Sequence, residues 1–591
     1  MKQTRTQRRP SPAALCTDRL TDQVGVCMKR IPVLLAAGTT LSLLAGCSDK
    51  PEPVAETEKA AEKSSAMADQ DPLAFPPQGF VEETLTVKTD AGEQTITVHR
   101  WNHLLYVSKP VDADYQSLDV QVPVAINGKP IDASAAPIVL NIKIGGYRSV
   151  NNRNPDDGMG RGPHGMQPPG ASMAAGPDGK PGEHGPQGDH GPNGDHGPRG
   201  DMPPQGQRPG AEGGKPPRGL AMGMGMGSDK ANLALAAGYV VVTPGARGIN
   251  NQRDGKPYGM APAGIVDLKA AVRYLRHNDA AMPGNSEWIV SAGCSAGGAM
   301  SALLGASGNN TWYQPYLDEI GAANAPDNIF ASACYSPITD INHSDSSYEW
   351  FFGQMPVNGK LVDQPLSAEL SNQYEAYQQQ LALSGLAGAD GKPGEAITAA
   401  NYAEYFTRTW LQPSATAYLQ ALPADQRDDY LAQHGWIHWD GQQATLAFAD
   451  YRNDMTRMKG LPAFDDFEMK APETQLFATG TDKANHFTEF SLRHSAGDNA
   501  QLGEELQQRI NHMNAMYFTD GKQSDVAQHW WLRNGSHDNN NAPIVMTNLA
   551  LSLENHGKNV NSAEFWGGGH CADDDPQGMV NWIGQITGYQ R

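Results

Sequence analysis

A chain of 591 residues is long enough for one large domain with insertions, or for two to three domains. Its formal charge of -20 excludes the basic footprint that nucleic acid requires, and it argues equally against a basic, peripheral attachment to membranes. Hydrophobic residues make up 39% and charged residues 19%, figures diluted by long polar segments around a real core.

Residues 1–27, polar and rich in Arg, read as an upstream over-extension of the reading frame, with Met28 as the start. Met28-Lys29-Arg30 is a short basic region, and 31–45 is an apolar stretch too short to span a bilayer comfortably. Leu44-Ala45-Gly46-Cys47 closes it like the lipobox of a bacterial lipoprotein signal peptide (28–46). Cys47 is then the lipid-bearing first mature residue, and Ser48 after it points by resemblance to the outer membrane. The alternative is an ordinary signal peptide with a fortuitous Gly46-Cys47. Cys16 and Cys27 precede Met28, so Cys294, Cys334 and Cys571 remain in an oxidising compartment.

Residues 47–78 are charged, Pro-rich and unpatterned, and are expected to form a disordered tether. The body begins at 79, its first part running to 336. Strand-like alternation occupies 84–87, 95–98 and 120–124, and 137–144 is a buried-strand run ending in Gly145-Gly146-Tyr147. Within 158–229 glycine takes every third position from Gly176 to Gly200, a collagen-like insertion too short and too poor in proline for a stable triple helix. A disordered surface loop is the expectation, although His184, His190 and His196 would offer a metal three imidazoles if the segment folded back. A further strand, 239–244, precedes a helix over 262–276 with apolar residues at helical spacing.

The most informative segment follows. An apolar run, 288–292, leads into Gly293-Cys294-Ser295-Ala296-Gly297, and a small-residue helix comes after it. This strand–turn–helix setting of G-x-S-x-G is that of a nucleophile elbow, with Ser295 as nucleophile. Ala296 should give one oxyanion N–H, and the Gly146–Tyr147 turn the other. The next strand is 329–335, and the following one, 527–533, lies about 180 residues on. The interval 337–513 is therefore expected to be an inserted lid, with 514–591 completing the core. Strands alternating with helices imply a mostly parallel sheet covered on both faces. The acid should follow the strand ending near Arg533, and the base the last strand, 560–566, which has a helix over 544–555 before it. Asp538 and His570 occupy those places. His537 is the rival base, and Asp573, Asp574 and Asp575 are rival acids.

Residues 261–275 and 293–309, with 533–538 and its spacing to His570, resemble the subtype B bacterial tannases. The resemblance covers the body from about Pro137, apart from the collagen-like insertion. It implies an α/β-hydrolase fold with a large lid, acting on galloyl or related phenolic esters without cofactor or metal. By the same resemblance Lys459 and Glu473 hold phenolic hydroxyls. Asn540 replaces an aspartate making a third contact, which leaves room for a hydroxycinnamoyl acid. Cys294 before the nucleophile and Cys571 after the base are similar to the CS-D-HC pattern of fungal tannases and feruloyl esterases, implying a Cys294–Cys571 disulfide. The reading is a lipid-anchored serine esterase whose partner is a small phenolic ester, with the membrane met only through the anchor. A serine peptidase of the same fold, and a surface adhesin with an inert hydrolase body, are the alternatives.

Overall fold

The computed structural model describes residues 71–153, 226–388, 394–480 and 482–591. The upstream extension, the signal segment, Cys47, the tether up to residue 70 and the collagen-like insertion up to residue 225 lie outside the described residues.

Two antiparallel strands, β1 (Val81–Thr89) and β2 (Gly92–Leu105), lead into β3 (Ser117–Ile126), whose outer end pairs with the short β4 (Lys129–Pro130). Then come β5 (Ile138–Ile142), α1 (Met226–Ala236), β6 (Val240–Pro244), α2 (Ala263–His277), β7 (Ile289–Cys294), α3 (Ala296–Ala306) and β8 (Ala331–Tyr335). After a long excursion the chain returns as β9 (His529–Gly535), α4 (Ile544–Asn555), β10 (Asn559–Phe565) and α5 (Pro576–Thr587). One sheet results, in the order β1-β2-β3-β6-β5-β7-β8-β9-β10. Neighbours from β6 to β10 run parallel, as the alternation of strands and helices predicts.

Central strands buried on both faces read as continuous apolar runs, and β5, β6 and β8 are buried at every residue. Ile138 and Leu140 face one apolar layer with residues of α2, α3 and α4. Val139, Val241 and Val290 face the other, against α1 and α5. The strands from β5 onward, with α2 and α4, lie within two residues of their expected bounds, whereas α1 and α5 were not expected. The tether, however, ends earlier than position 78. Leu73 and Phe75 are buried, and Asn278 just beyond α2 accepts from Phe75 N at 2.7 Å and donates to Leu73 O at 2.9 Å. Likewise 226–229, expected in the loop, begin α1.

The excursion between Tyr335 and His529 is largely helical. Its Phe351, Tyr402, Phe406 and Phe464 join the same apolar cluster as the body's Leu549 and Leu532. The Tyr402 hydroxyl donates to Ile544 O at 3.0 Å, so the insertion is seated on α4 by polar contact as well as apolar burial. Among the described residues no helix is long and apolar enough to cross a membrane.

At the end of β7 the chain reverses so tightly that side chains cannot be accommodated. A Cβ on Gly293 would lie 2.3 Å from Gly297 O, one on Gly297 2.7 Å from Ile144 O, and one on Gly298 2.7 Å from Tyr335 O. These are backbone atoms, which cannot rotate aside. Gly297→Ala must therefore push α3 from the chain at the end of β5, where Ile142 O and Ile144 O stand in the way. It should destabilise by about 1–3 kcal/mol through overpacking and lower kcat together with the melting temperature, as thermal melts and ester-hydrolysis assays would show. A variant of unaltered stability and rate would contradict this account of the turn.

Candidate active site

Ser295 occupies that reversal with φ 57° and ψ -126°, a left-handed conformation that costs a non-glycine residue about 1–3 kcal/mol. Surrounding bonds over-determine it: Ser295 N donates to Tyr335 O at 3.0 Å, and Ala299 N donates back to Ser295 O at 2.8 Å. The hydroxyl is thereby lifted above the carboxyl end of the sheet, at the positive end of α3.

His570 comes from the loop after β10, and its Nε2 lies 2.9 Å from Ser295 Oγ. Its Nδ1 lies 2.9 Å from Asp538 Oδ2 and 3.1 Å from Oδ1. Asp538, fully buried, also accepts from Asn540 N at 2.9 Å on Oδ1, so its own loop fixes the carboxylate. The acid and base loops touch through backbone. Ser536 N donates to Phe565 O at 2.9 Å, His537 N to Gly568 O at 2.8 Å, and a Cβ on Gly535 would fall 2.2 Å from Gly569 O. Three residues far apart in sequence thus form one hydrogen-bonded chain.

The rivals are placed elsewhere. His537 Nε2 lies 3.2 Å from Asp454, and Asp573 forms a buried ion pair with Lys230 at 2.9 Å. Asp575 caps α5, accepting from Gly578 N at 2.8 Å.

Cys294 and Cys571 are disulfide-bonded, with Cα atoms 5.8 Å apart, and Cys334 is a buried free thiol. Nucleophile turn and base loop are therefore joined covalently, one residue from each reacting side chain.

A cavity of about 620 Å³ opens over Ser295 and His570 and is lined also by Gly146, Asn540, Lys459 and Glu473. Six of the residues singled out in the sequence meet there. Ala296 lies in the first turn of α3, whose leading N–H groups have no intrahelical acceptor. Gly146 and Tyr147 both take positive φ, 53° and 56°, and Gly146 lines the same cavity as Ser295. Tyr147 is buried, and burial together with the Glu473 charge raises its phenol well above the ordinary range.

Among the described residues, neither the Lys459 ammonium nor the Glu473 carboxylate pairs with another side chain, and the Glu473 carboxylate meets only its own backbone N–H. Lys459 Nζ sits 3.5 Å from the centroid of the Phe464 ring. Desolvation lowers the Lys459 pKa against the pull of Glu473, Asp345 and Asp538, and it raises that of Glu473 against Lys459. Two opposite charges thus face the cavity without a side-chain partner.

Sequence reasoning missed the side chains that hold these groups. The Tyr348 hydroxyl accepts from Lys459 N at 3.1 Å and donates to Asn539 O at 2.9 Å, tying the Lys459 segment to the acid loop. Arg457, paired with Glu349 where neither side chain is exposed, donates to Lys459 O at 2.8 Å and Gly460 O at 2.7 Å. Asp345 accepts from Phe464 N at 2.7 Å and Asp465 N at 3.1 Å, and burial with the Asp465 charge pushes its pKa up to about 7. Glu564 on β10 is also buried; desolvation, with the Asp538 charge adding to it, pushes it up to about 8. The only available signal was the density of charged residues in an otherwise aromatic insertion, and their partners lie about a hundred positions away.

The chain is similar to several known proteins. A family model described as BD-FAE matches residues 221–379. The crystal structure of Fusobacterium nucleatum tannase is similar with a TM-score of 0.64 and 28% identity, over 87% of this chain and 99% of that one. The tannin acyl hydrolase of Lactobacillus plantarum gives 0.66 and 28%, over 88% and 100%. A tannin acyl hydrolase in complex with 3,4-dihydroxybenzoate gives 0.66 and 28%, over 88% and 99%. The fold is that of the α/β-hydrolases. Among curated proteins, esterase LipQ of Mycobacterium tuberculosis is 31% identical over 107 residues, and esterase LipC of the same organism 41% over 63. Those matches span 24% and 16% of the two esterases.

The disulfide gives a test. It closes a loop of 277 residues, worth about 5 kcal/mol on the chain-entropy view. Loosening the base relative to the nucleophile should harm rate sooner than stability. Reductant should lower ester hydrolysis at temperatures where circular dichroism still reports folded protein, and Cys294→Ala should reproduce the loss. Full activity after complete reduction would show that the bridge serves stability alone.

Proposed function

We propose that this chain is a carboxylic ester hydrolase, a serine esterase that cleaves esters of phenolic acids through an acyl-enzyme. The observation that carries the reading is the His570 imidazole, 2.9 Å from both Ser295 Oγ and Asp538 Oδ2, at a cavity that also presents Lys459 and Glu473. With Nδ1–H donated to Asp538, Nε2 is free to take the serine proton as Oγ attacks the ester carbonyl carbon. The negative charge on the carbonyl oxygen is met by the N–H of Ala296 and an N–H of the Gly146–Tyr147 turn. Collapse expels the alcohol, which leaves with the proton held on Nε2. Water then repeats the sequence on the acyl-enzyme.

Lys459 donates to, and Glu473 accepts from, hydroxyls on the acyl ring. The structural likeness to tannases, one of them complexed with 3,4-dihydroxybenzoate, supports phenolic acyl groups. Asn540, neutral and in the cavity, favours hydroxycinnamoyl esters as the second reading, since it replaces a carboxylate acceptor with an amide. The subtype B and CS-D-HC resemblances support the same class. The lipobox ending at Cys47 supports a lipid-anchored enzyme of the bacterial envelope.

Ser295→Ala should lower kcat by about three to six orders of magnitude with the fold intact, and Asp538→Asn should lose less than His570→Ala. Purified Ser295→Ala retaining most of its activity would remove the nucleophile assignment. Replacing Lys459 or Glu473 by Ala should weaken methyl gallate hydrolysis by about 1.5–3 kcal/mol of transition-state binding, and that of an unsubstituted acyl ester far less. Equal losses on both esters would assign the two residues to the architecture of the insertion. Asn540→Asp should raise the preference for galloyl over feruloyl esters in the same assay.

A further inference from the structure

Residues 571–575 carry the chain from His570 to α5, which packs with α1 on one face of the sheet. Cys571 holds the start of this loop, through the bridge to Cys294 and a bond from its N–H to Ser336 Oγ at 2.9 Å. Asp575 holds the end, as the cap of α5. Midway, Asp573 pairs with Lys230 of α1 at 2.9 Å, and the two side chains are only 10% (Lys230) and 6% (Asp573) exposed. Burial lowers the pKa of the ammonium and raises that of the carboxylate, against their mutual attraction. Besides Lys230, the carboxylate meets the backbone N–H of Asp575. Arg533, the other cation nearby, gives its donors to Leu532 O and to Asn561. Among the described residues Lys230 is therefore the one ion-pair partner of Asp573.

The same ammonium stands over the ring of Tyr335, 3.0 Å from its centroid. Tyr335 ends β8, and its carbonyl accepts from Ser295 N at 3.0 Å. Its ring is fully buried, and its hydroxyl accepts from Trp531 Nε1 at 3.1 Å, so it has no room to turn away. One cation thus touches both the residue that holds the nucleophile and the loop that holds the base. A buried pair of this kind contributes little net stability, because desolvation offsets its attraction. What it supplies is position. A loop anchored at Cys571 alone can pivot about that residue, and a second anchor two residues on removes the freedom.

Resting on the serine-esterase reading, we propose that Lys230 is a positioning residue: its ammonium, clamped between the Tyr335 ring and the Asp573 carboxylate, fixes the base loop against the nucleophile strand. It does so from outside the substrate cavity, which none of these three residues lines.

Lys230→Met alone would strand a buried carboxylate and so test folding as much as catalysis. The decisive variant of the full-length protein combines Lys230→Met with Asp573→Asn, removing both charges while keeping the shapes. It should leave the melting temperature and the KM for p-nitrophenyl acetate near the parent's, while kcat falls by about ten- to hundredfold. The rate at which a small fluorophosphonate labels Ser295 should fall alike, since that reaction needs nucleophile and base aligned and none of the contacts to a substrate ring. Unchanged kcat and labelling overturn the proposal, as does a rise in KM that accounts for the whole loss. A double variant that does not fold overturns it too, because the pair then serves stability rather than alignment. In each of these cases ester hydrolysis by the parent leaves the esterase reading standing. A parent that neither cleaves the ester nor takes up the label overturns both.

Discussion

The site depends on backbone packed against backbone at the carboxyl ends of the parallel strands. Gly293, Gly297 and Gly298 bring the nucleophile turn within touching distance of the strand ends of β5 and β8, and Gly535 does the same between the acid and base loops. The tight turn forces positive φ on Ser295, and that conformation both exposes the hydroxyl and aligns α3 behind it. The strain is held because Tyr335 O and the helix leave the backbone no alternative position. The disulfide adds a covalent limit to the same geometry, acting on residues adjacent to those that react.

A second layer of constraint comes from the insertion, which is built onto the body and contributes the outer half of the cavity. Tyr348, through one hydroxyl, fixes the Lys459 backbone to the acid loop. Arg457 and Glu349 form an ion pair removed from water, which on its own is weak evidence for stability because desolvation offsets the attraction. Its position is the informative part, since the guanidinium spends its remaining donors on Lys459 O and Gly460 O. Burial of charge here specifies where a binding residue stands. The lack of a side-chain partner for Lys459 and Glu473 is the complement of that arrangement, a polar pair kept apart from each other and left open to a ligand.

Length and pattern were enough for the alternation of strands and helices, the G-x-S-x-G turn, and the order Ser295, Asp538, His570. These are local facts: a buried parallel strand must be apolar at every position, a sharp turn must be glycine, and each reactive loop must follow a strand. The tether was drawn too long because Leu73 and Phe75 sit among polar neighbours, and only contact with Asn278 shows that they are packed. The helix at Met226 was missed because glycine and methionine repeats continue from the collagen-like segment into its first turn.

The sequence by itself therefore determined the chemistry available: a serine in a turn, an acid and a base at strand ends, two cysteines beside them, and charged residues in a long insertion. Tertiary structure decided which of these meet. His537 and Asp573 have the right chemistry and are drawn into other pairs, and Asp575 caps a helix, whereas His570 is carried to Ser295 by a backbone contact between two loops. The partners of Arg457 and Asp345 were equally invisible, because each buried charge is satisfied by groups more than a hundred residues away and no spacing rule links them. Strand and turn formation is decided by neighbours along the chain, and a site by neighbours in space.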